Sequence, residues 1–97
     1  MAGINITKEH AESIIAKLEA QVVRKGRAHD LAIIRYRGVR IAQFGIRRGS
    51  SRNAGHGHIP GALSLSPRRC RELAICTMSV AEWHDVMRRL NLLPDED

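Results

Sequence analysis

The segment from Arg47 to Pro60, RRGSSRNAGHGHIP, brings together Arg47, Arg48, Arg52, His56 and His58 among glycines, and holds no carboxylate. These residue types suit an anionic ligand. Gly49, Gly55 and Gly57 let backbone amides approach an anion with no Cβ in the way. The three guanidinium groups supply neutralising charge. Imidazole, with an ordinary pKa of about 6.5, can take or give a proton near neutrality. Cleaving RNA without a metal needs little beyond that: a base for the 2′-hydroxyl proton, an acid for the leaving oxygen and cations on the phosphate. His29, in KGRAHD beside Asp30, joins His56 and His58 as a candidate for proton transfer. The alternative is a turn whose imidazoles hydrogen-bond to backbone carbonyls, and the sequence leaves both open. The segment matches neither the GxxxxGK[ST] phosphate loop nor a dinucleotide fingerprint.

Metal chemistry fits less well. His56 and His58 with Cys70 or Cys76 make a four-ligand set on paper, but their spacing matches no usual zinc pattern and no carboxylate lies nearby. No metal and no other cofactor is expected. Two cysteines are too few for a disulfide framework. On one helix their six-residue separation would turn them about 240° apart, so both are expected to be reduced, Cys70 or Cys76 serving as a small apolar filler.

Charge extends the reading to the whole chain. The 97 residues carry 16 basic and 10 acidic groups, a formal net charge of +6. Lys8, Lys17 and Lys25 are the only lysines, so the excess is carried by arginine, whose planar fork matches phosphate bidentately. From Arg24 to Arg71 there are eleven arginines and a single acid, Asp30. An anionic partner is expected, nucleic acid above all. Only Tyr36, Phe44 and Trp83 are aromatic, which excludes the multi-ring platform on which single-strand binders stack bases. Backbone contact, with RNA favoured, is therefore expected rather than base reading. The strip would be Arg35, Arg37, Arg40, Arg47, Arg48 and Arg52, with Gly55 to His58 beside the substrate. The acidic end, Pro94 to Asp97, reads as a frayed terminus.

The elements that must position these residues follow from periodicity and capping. Thr7 caps a helix from Lys8 to about Ala20, with Ala11, Ile14, Ile15 and Leu18 as its apolar stripe and Lys8, Glu12, Lys17 and Glu19 as its solvated face. Gln21 to Arg24 reads as a short strand and Lys25 to His29 as a turn. Leu31–Tyr36 and Val39–Ile46 form a hairpin through Arg37-Gly38. In its second strand, alternation puts Val39, Ile41 and Gln43 on one face and Arg40, Ala42 and Phe44 on the other. Arg47 to Leu65 lacks clear periodicity and is expected to be a long basic loop, with Ala62–Leu65 as an edge strand. Ser66-Pro67 opens a helix to about Ile75. Ser79-Val80-Ala81-Glu82 is a capping box, with Met78 and Trp83 as its staple, and opens a last helix burying Trp83, Val86, Met87 and Leu90. The fold class is thus α+β: a helix, a three-stranded antiparallel sheet, the loop and two C-terminal helices, in one domain. His10 and His84 are expected to be solvated on their helices. No apolar run approaches the roughly 20 residues of a membrane span, and a cytoplasmic protein is expected.

The order of a helix, VVRKG, a His-led strand, YRGVRIAQFGI and a further helix resembles the HicA toxins of bacterial toxin–antitoxin pairs. The resemblance covers about Thr7 to Ile46 and a helix after it. It implies an α-β-β-β-α fold like a double-stranded-RNA-binding domain, metal-independent mRNA cleavage by a histidine after the first strand, and silencing by an antitoxin partner. The matching positions are Lys25, Gly26 and a histidine. The family's histidine position falls on Ala28, and His29 stands one residue later. The Arg/Gly/His loop and one further helix have no counterpart there.

Three functions follow: a nucleic-acid-binding protein, a HicA-like endoribonuclease using His29 or the pair His56 and His58, and a non-catalytic module docking an acidic protein. In the last, the C-terminal helix would support a homodimer, with Trp83, Leu92 and Leu93 at its interface.

Overall fold

The computed structural model describes residues 5–26, 28–47, 49, 54–75 and 77–94. Arg27, Arg48, Arg52 and Cys76 lie outside them, as does the tail beyond Pro94. The order is α1 (Lys8–Leu18), β1 (Gln21–Lys25), β2 (His29–Tyr36), β3 (Val39–Arg47), α2 (Ile59–Ala62), α3 (Pro67–Ala74) and α4 (Val80–Arg89). The strands form one antiparallel sheet ordered β1-β2-β3, so the fold is α+β.

The helix starts obey their capping chemistry. Ser79 accepts from Glu82 N–H, and the Glu82 carboxylate accepts from Ser79 N–H. The Ser79 backbone N–H, with the Ser79 hydroxyl beside it, holds the Glu82 carboxyl below the usual range. Ser66 caps α3, with Pro67 at the first helical position. Thr7 caps α1, and here the third helical residue, His10, completes the box: its Nδ1 accepts from Thr7 N–H at 3.1 Å. His10 is therefore half-buried and structural rather than solvated.

The hairpin turns on Arg37 and Gly38, both at positive φ (53° and 81°), which is the two-residue turn whose twist matches antiparallel strands. Tyr36 pairs with Val39 and Arg35 with Arg40, whereas Ile34 pairs with Ala42. Ile41 is consequently an extra residue in β3, a bulge, and it reverses the expected alternation. Val39 joins Ala42 and Phe44 on the inner face, while Arg40 joins Gln43 on the outer one. One inserted residue swaps the faces on either side of it.

The core lies on the inner face. Ala32, Ile34, Ala42, Phe44 and Ile46 pack under Ala11, Ile14 and Leu18 of α1, with Leu73, Met78, Trp83 and Met87 completing the cluster. Trp83 is fully buried and donates its indole N–H to Leu63 O at 3.0 Å. It is core, not interface. Val86 is only partly buried and Leu90 is exposed, so α4 buries a narrower stripe than its sequence suggests. The expected edge strand at Ala62–Leu65 is absent: Ile59–Ala62 is the short helix α2, with Pro60 in its first turn, and Leu63 and Leu65 are buried beyond it. Proline's fixed φ favours helix initiation there over a strand.

His84 also departs from expectation. Its ring lies between Tyr36, edge-on at a centroid distance of 4.9 Å, and Trp83 at 5.5 Å. Burial there, with Arg88 nearby, lowers its pKa.

Lys17 leaves the solvated face assigned to it. Its ammonium donates to Leu73 O at 3.0 Å and to Met78 O, placing a cation where the last turn of α3 presents its carbonyls. Lys17→Met keeps the stem and removes both donors. The expected loss of about 1–3 kcal/mol in urea unfolding follows from leaving part-buried carbonyls without partners; an unchanged midpoint would refute this role.

Candidate nucleic-acid interface

One face of the sheet carries the helices and the other does not. Strand register assigns the outer face: Gln21, Val23 and Lys25 from β1; His29, Leu31, Ile33 and Arg35 from β2; Arg40, Gln43, Gly45 and Arg47 from β3. Lys25, Arg35, Arg40, Arg47 and His29 are exposed on it, and it includes no Asp or Glu among the described residues. Asp30, the lone acid of the basic half, points to the inner face opposite Arg24 and Ile46.

This brings Arg35, Arg40 and Arg47 of the expected strip onto one surface, about 20 Å long at roughly 3.3 Å per residue from His29 to Arg35. Arg37 does not join them. It sits at the hairpin tip with its guanidinium 5.5 Å from the centroid of the Tyr36 ring, whose side chain turns to the helical layer. Lys25 joins instead, because β1 runs on through it. Arg48 and Arg52 lie outside the described residues.

Arg35 and Arg40 are direct cross-strand partners. Like charges so placed destabilise a sheet. Each is held by a neutral amide: Arg35 donates to Gln21 Oε1, and Arg40 donates to Gln43 Oε1 at 2.6 Å. Between these amides Ile33 is shielded, and Val23 and Leu31 are half-buried. No Phe, Tyr or Trp ring belongs to the face. Phe44 and Trp83 are core, and Tyr36 turns to the helices.

The three candidate histidines meet at the end of this face. A cavity of about 310 Å³ is lined on the sheet side by His29, Gly45 and Arg47 and on the loop side by Gly55, His56 and His58. His29 faces Arg47 across β2 and β3. The loop is tied to the chain's start: Gly55 bridges Thr7, Lys8 N–H donates to Ala54 O at 2.9 Å and His56 N–H to Ile6 O at 2.7 Å.

Within the cavity the two loop histidines differ in kind. His56 is 2% exposed. Its Nδ1 is 2.9 Å from Ala54 O and so must donate, while Nε2, 3.4 Å from Arg47 N–H, must accept. Both nitrogens of the neutral ring are thus spent on the backbone. His58 is exposed, and its Nε2 lies 2.7 Å from Gly45 O. A carbonyl only accepts, so Nε2 carries the proton and Nδ1 is the ring's acceptor. The two imidazoles, two residues apart, serve Gly45 O and Arg47 N–H, also two residues apart on β3. They block the free edge of that strand. Of the two alternatives for this segment, carbonyl-bound turn or ligand site, His56 belongs to the first; His58 satisfies the first through Nε2, and among the described residues no hydrogen bond to its Nδ1 is seen.

No group of three or more His, Cys, Asp or Glu suited to a metal occurs among the described residues. Cys70 is buried, and burial pushes its thiol up to about 11, which removes it as a nucleophile near neutrality. A second cavity, about 380 Å³, opens on the helical side between Ile15, Val22 and Ile46; Gly49 lines it, but none of the candidate histidines or arginines is among its described lining residues. No described helix is long and apolar enough to cross a membrane.

Comparison with known proteins adds no assignment: no family model, no curated protein and no solved structure matches this chain.

Proposed function

We propose that the protein binds nucleic acid through its open sheet face, contacting the sugar–phosphate backbone rather than the bases. The observation that carries this is the Arg35–Arg40 pair. Two guanidinium groups directly opposite each other, on a face with no carboxylate among the described residues, cost stability in the free protein. A polyanion repays that cost by neutralising both.

The chemistry of the face narrows the ligand. Lys25, Arg35, Arg40 and Arg47 are spread along the strands, which suits repeated phosphates better than one small anion. With no Phe, Tyr or Trp on the face, base stacking is at most a minor source of affinity. RNA is the favoured form, because the histidine-lined cavity at the end of the strip offers imidazole partners to a 2′-hydroxyl.

Salt dependence tests the reading. Four phosphates neutralised on a duplex give a slope of log Kobs against log[salt] of about −3 to −4. Arg35→Ala and Arg47→Ala should each flatten it by about 1, uniformly across ligand sequences. Fluorescence anisotropy with single- and double-stranded RNA and duplex DNA between 50 and 300 mM salt measures this directly. A slope near zero, or one unmoved by both variants, refutes the proposed interface.

A further inference from the structure

We infer that the free edge of β1 is a self-association surface whose partner is a second copy of this chain. The two β1 strands pair antiparallel across a two-fold axis and join two three-stranded sheets into one. Edge, register and flank each support this.

The two edges of the sheet differ. Along β3 the His56–His58 segment covers one end, serving Gly45 O and Arg47 N–H. β1 has no such cover: the sheet order ends with it, and no described residue pairs with its outer side. It holds neither proline nor bulge, two of the devices that keep an edge from pairing. Charge is its remaining guard, and Arg24 and Lys25 stand together at one end.

Register removes that guard. The antiparallel pairing that uses all five residues of QVVRK is centred on Val23. It sets Gln21 opposite the partner's Lys25, Val22 opposite the partner's Arg24, and Val23 opposite itself. No cation faces a cation, so this pairing avoids the like-charge cost that Arg35 and Arg40 incur within the sheet.

The flank supplies complementary charge. Val22 points to the inner face yet is 47% exposed, because α1 leaves the 380 Å³ cavity between itself and β1. Val22, Ile15 and Glu12 line it. Pairing on Val23 brings the partner's Arg24 beside Val22 on this same side. Its apolar stem covers Val22 and Ile15, and its guanidinium meets the exposed Glu12 carboxylate. Two-fold symmetry makes the contact twice. Both cationic outer faces then lie on one side of a continuous sheet, about 29 Å wide at roughly 4.8 Å per strand.

A five-residue edge makes a small interface, so association is weak and depends on concentration. Sedimentation equilibrium of the full chain, without nucleic acid, over about 1–500 μM tests it. The average mass should climb from 10.8 kDa towards twice that value. Arg24→Glu and Glu12→Arg each set like charges face to face and should each weaken association by about tenfold or more. Mixed in equal amounts, the two variants should associate again, because each offers the other the opposite charge at both contacts. A pairing of Arg24 with Glu12 inside one chain would give no such recovery. Hydrogen exchange on the parent places the contact, whatever the folding of a variant: β1 amides should gain protection as concentration rises, while those of β3 do not. A parent that stays monomeric at the highest concentration overturns the inference. So does a dimer indifferent to both variants, a mixture of folded variants that stays monomeric, or protection gained at Leu90–Leu92 in place of β1. None of these outcomes bears on nucleic-acid binding, which its own salt dependence decides.

Discussion

Replacing Arg40 with glutamate should make the protein more stable and, at the same time, nearly unable to hold nucleic acid. Opposite Arg35 the new carboxylate converts a like-charge cross-strand pair into an opposite-charge one. Such a change is worth roughly 0.2–1 kcal/mol in a sheet, or about 1–6 °C in melting temperature for a domain of this size. Binding moves the other way, since one phosphate contact is lost and a repulsion takes its place. A fall in affinity of about 10²-fold at moderate salt follows, given that 1.4 kcal/mol is tenfold and both terms have that order. Arg40→Gln separates the two effects, removing the cation without adding an anion, and should fall between parent and glutamate in both measurements. Thermal melts beside anisotropy titrations decide it. A glutamate variant less stable than the parent, or one binding equally well, would mean that the paired arginines are not kept for an anionic partner. A surface cation exposed for solubility alone would show the gain in stability without the loss of binding.

The face on which Arg40 sits was not legible in the sequence, and the reason is local. Strict alternation from Ala42 puts Arg40 with the buried residues. Only a bulge at Ile41 moves it to the outer face beside Gln43, and nothing in VRIAQFGI marks a bulge, since no glycine or proline stands at it. The elements themselves were readable where their signals are backbone chemistry: Arg37-Gly38 for the turn, Thr7, Ser66 and Ser79 for the caps. Side-chain fates that depend on distant parts of the chain were not. Lys17 finds its carbonyls 56 and 61 residues away, and His10 closes a box normally completed by Glu or Gln. The meeting of His29 with His58 had the same obstacle. Sequence placed both among basic residues, but only the path of the loop along β3 sets them around one cavity.

The path of that loop depends most heavily on His56, so His56→Ala should be among the costliest single changes in the chain. The ring is almost wholly buried, and its removal leaves a void, takes the acceptor from Arg47 N–H and leaves Ala54 O with the Lys8 N–H alone. A void of an aromatic ring's size and the loss of the Arg47 N–H acceptor together amount to about 3–5 kcal/mol, a large share of the roughly 5–15 kcal/mol that holds a domain folded. His58→Ala removes one bond at an exposed site, where water can take over Gly45 O, and should cost under about 1 kcal/mol. Urea unfolding of the two variants checks the contrast. Hydrogen exchange adds a local readout, because the Arg47 amide should lose protection in His56→Ala well before the amides of β2 do. His56→Gln, whose amide both donates and accepts, should recover part of the loss. If alanine at His56 costs no more than alanine at His58, the loop is held by other contacts, and the difference in role assigned to the two imidazoles fails with it.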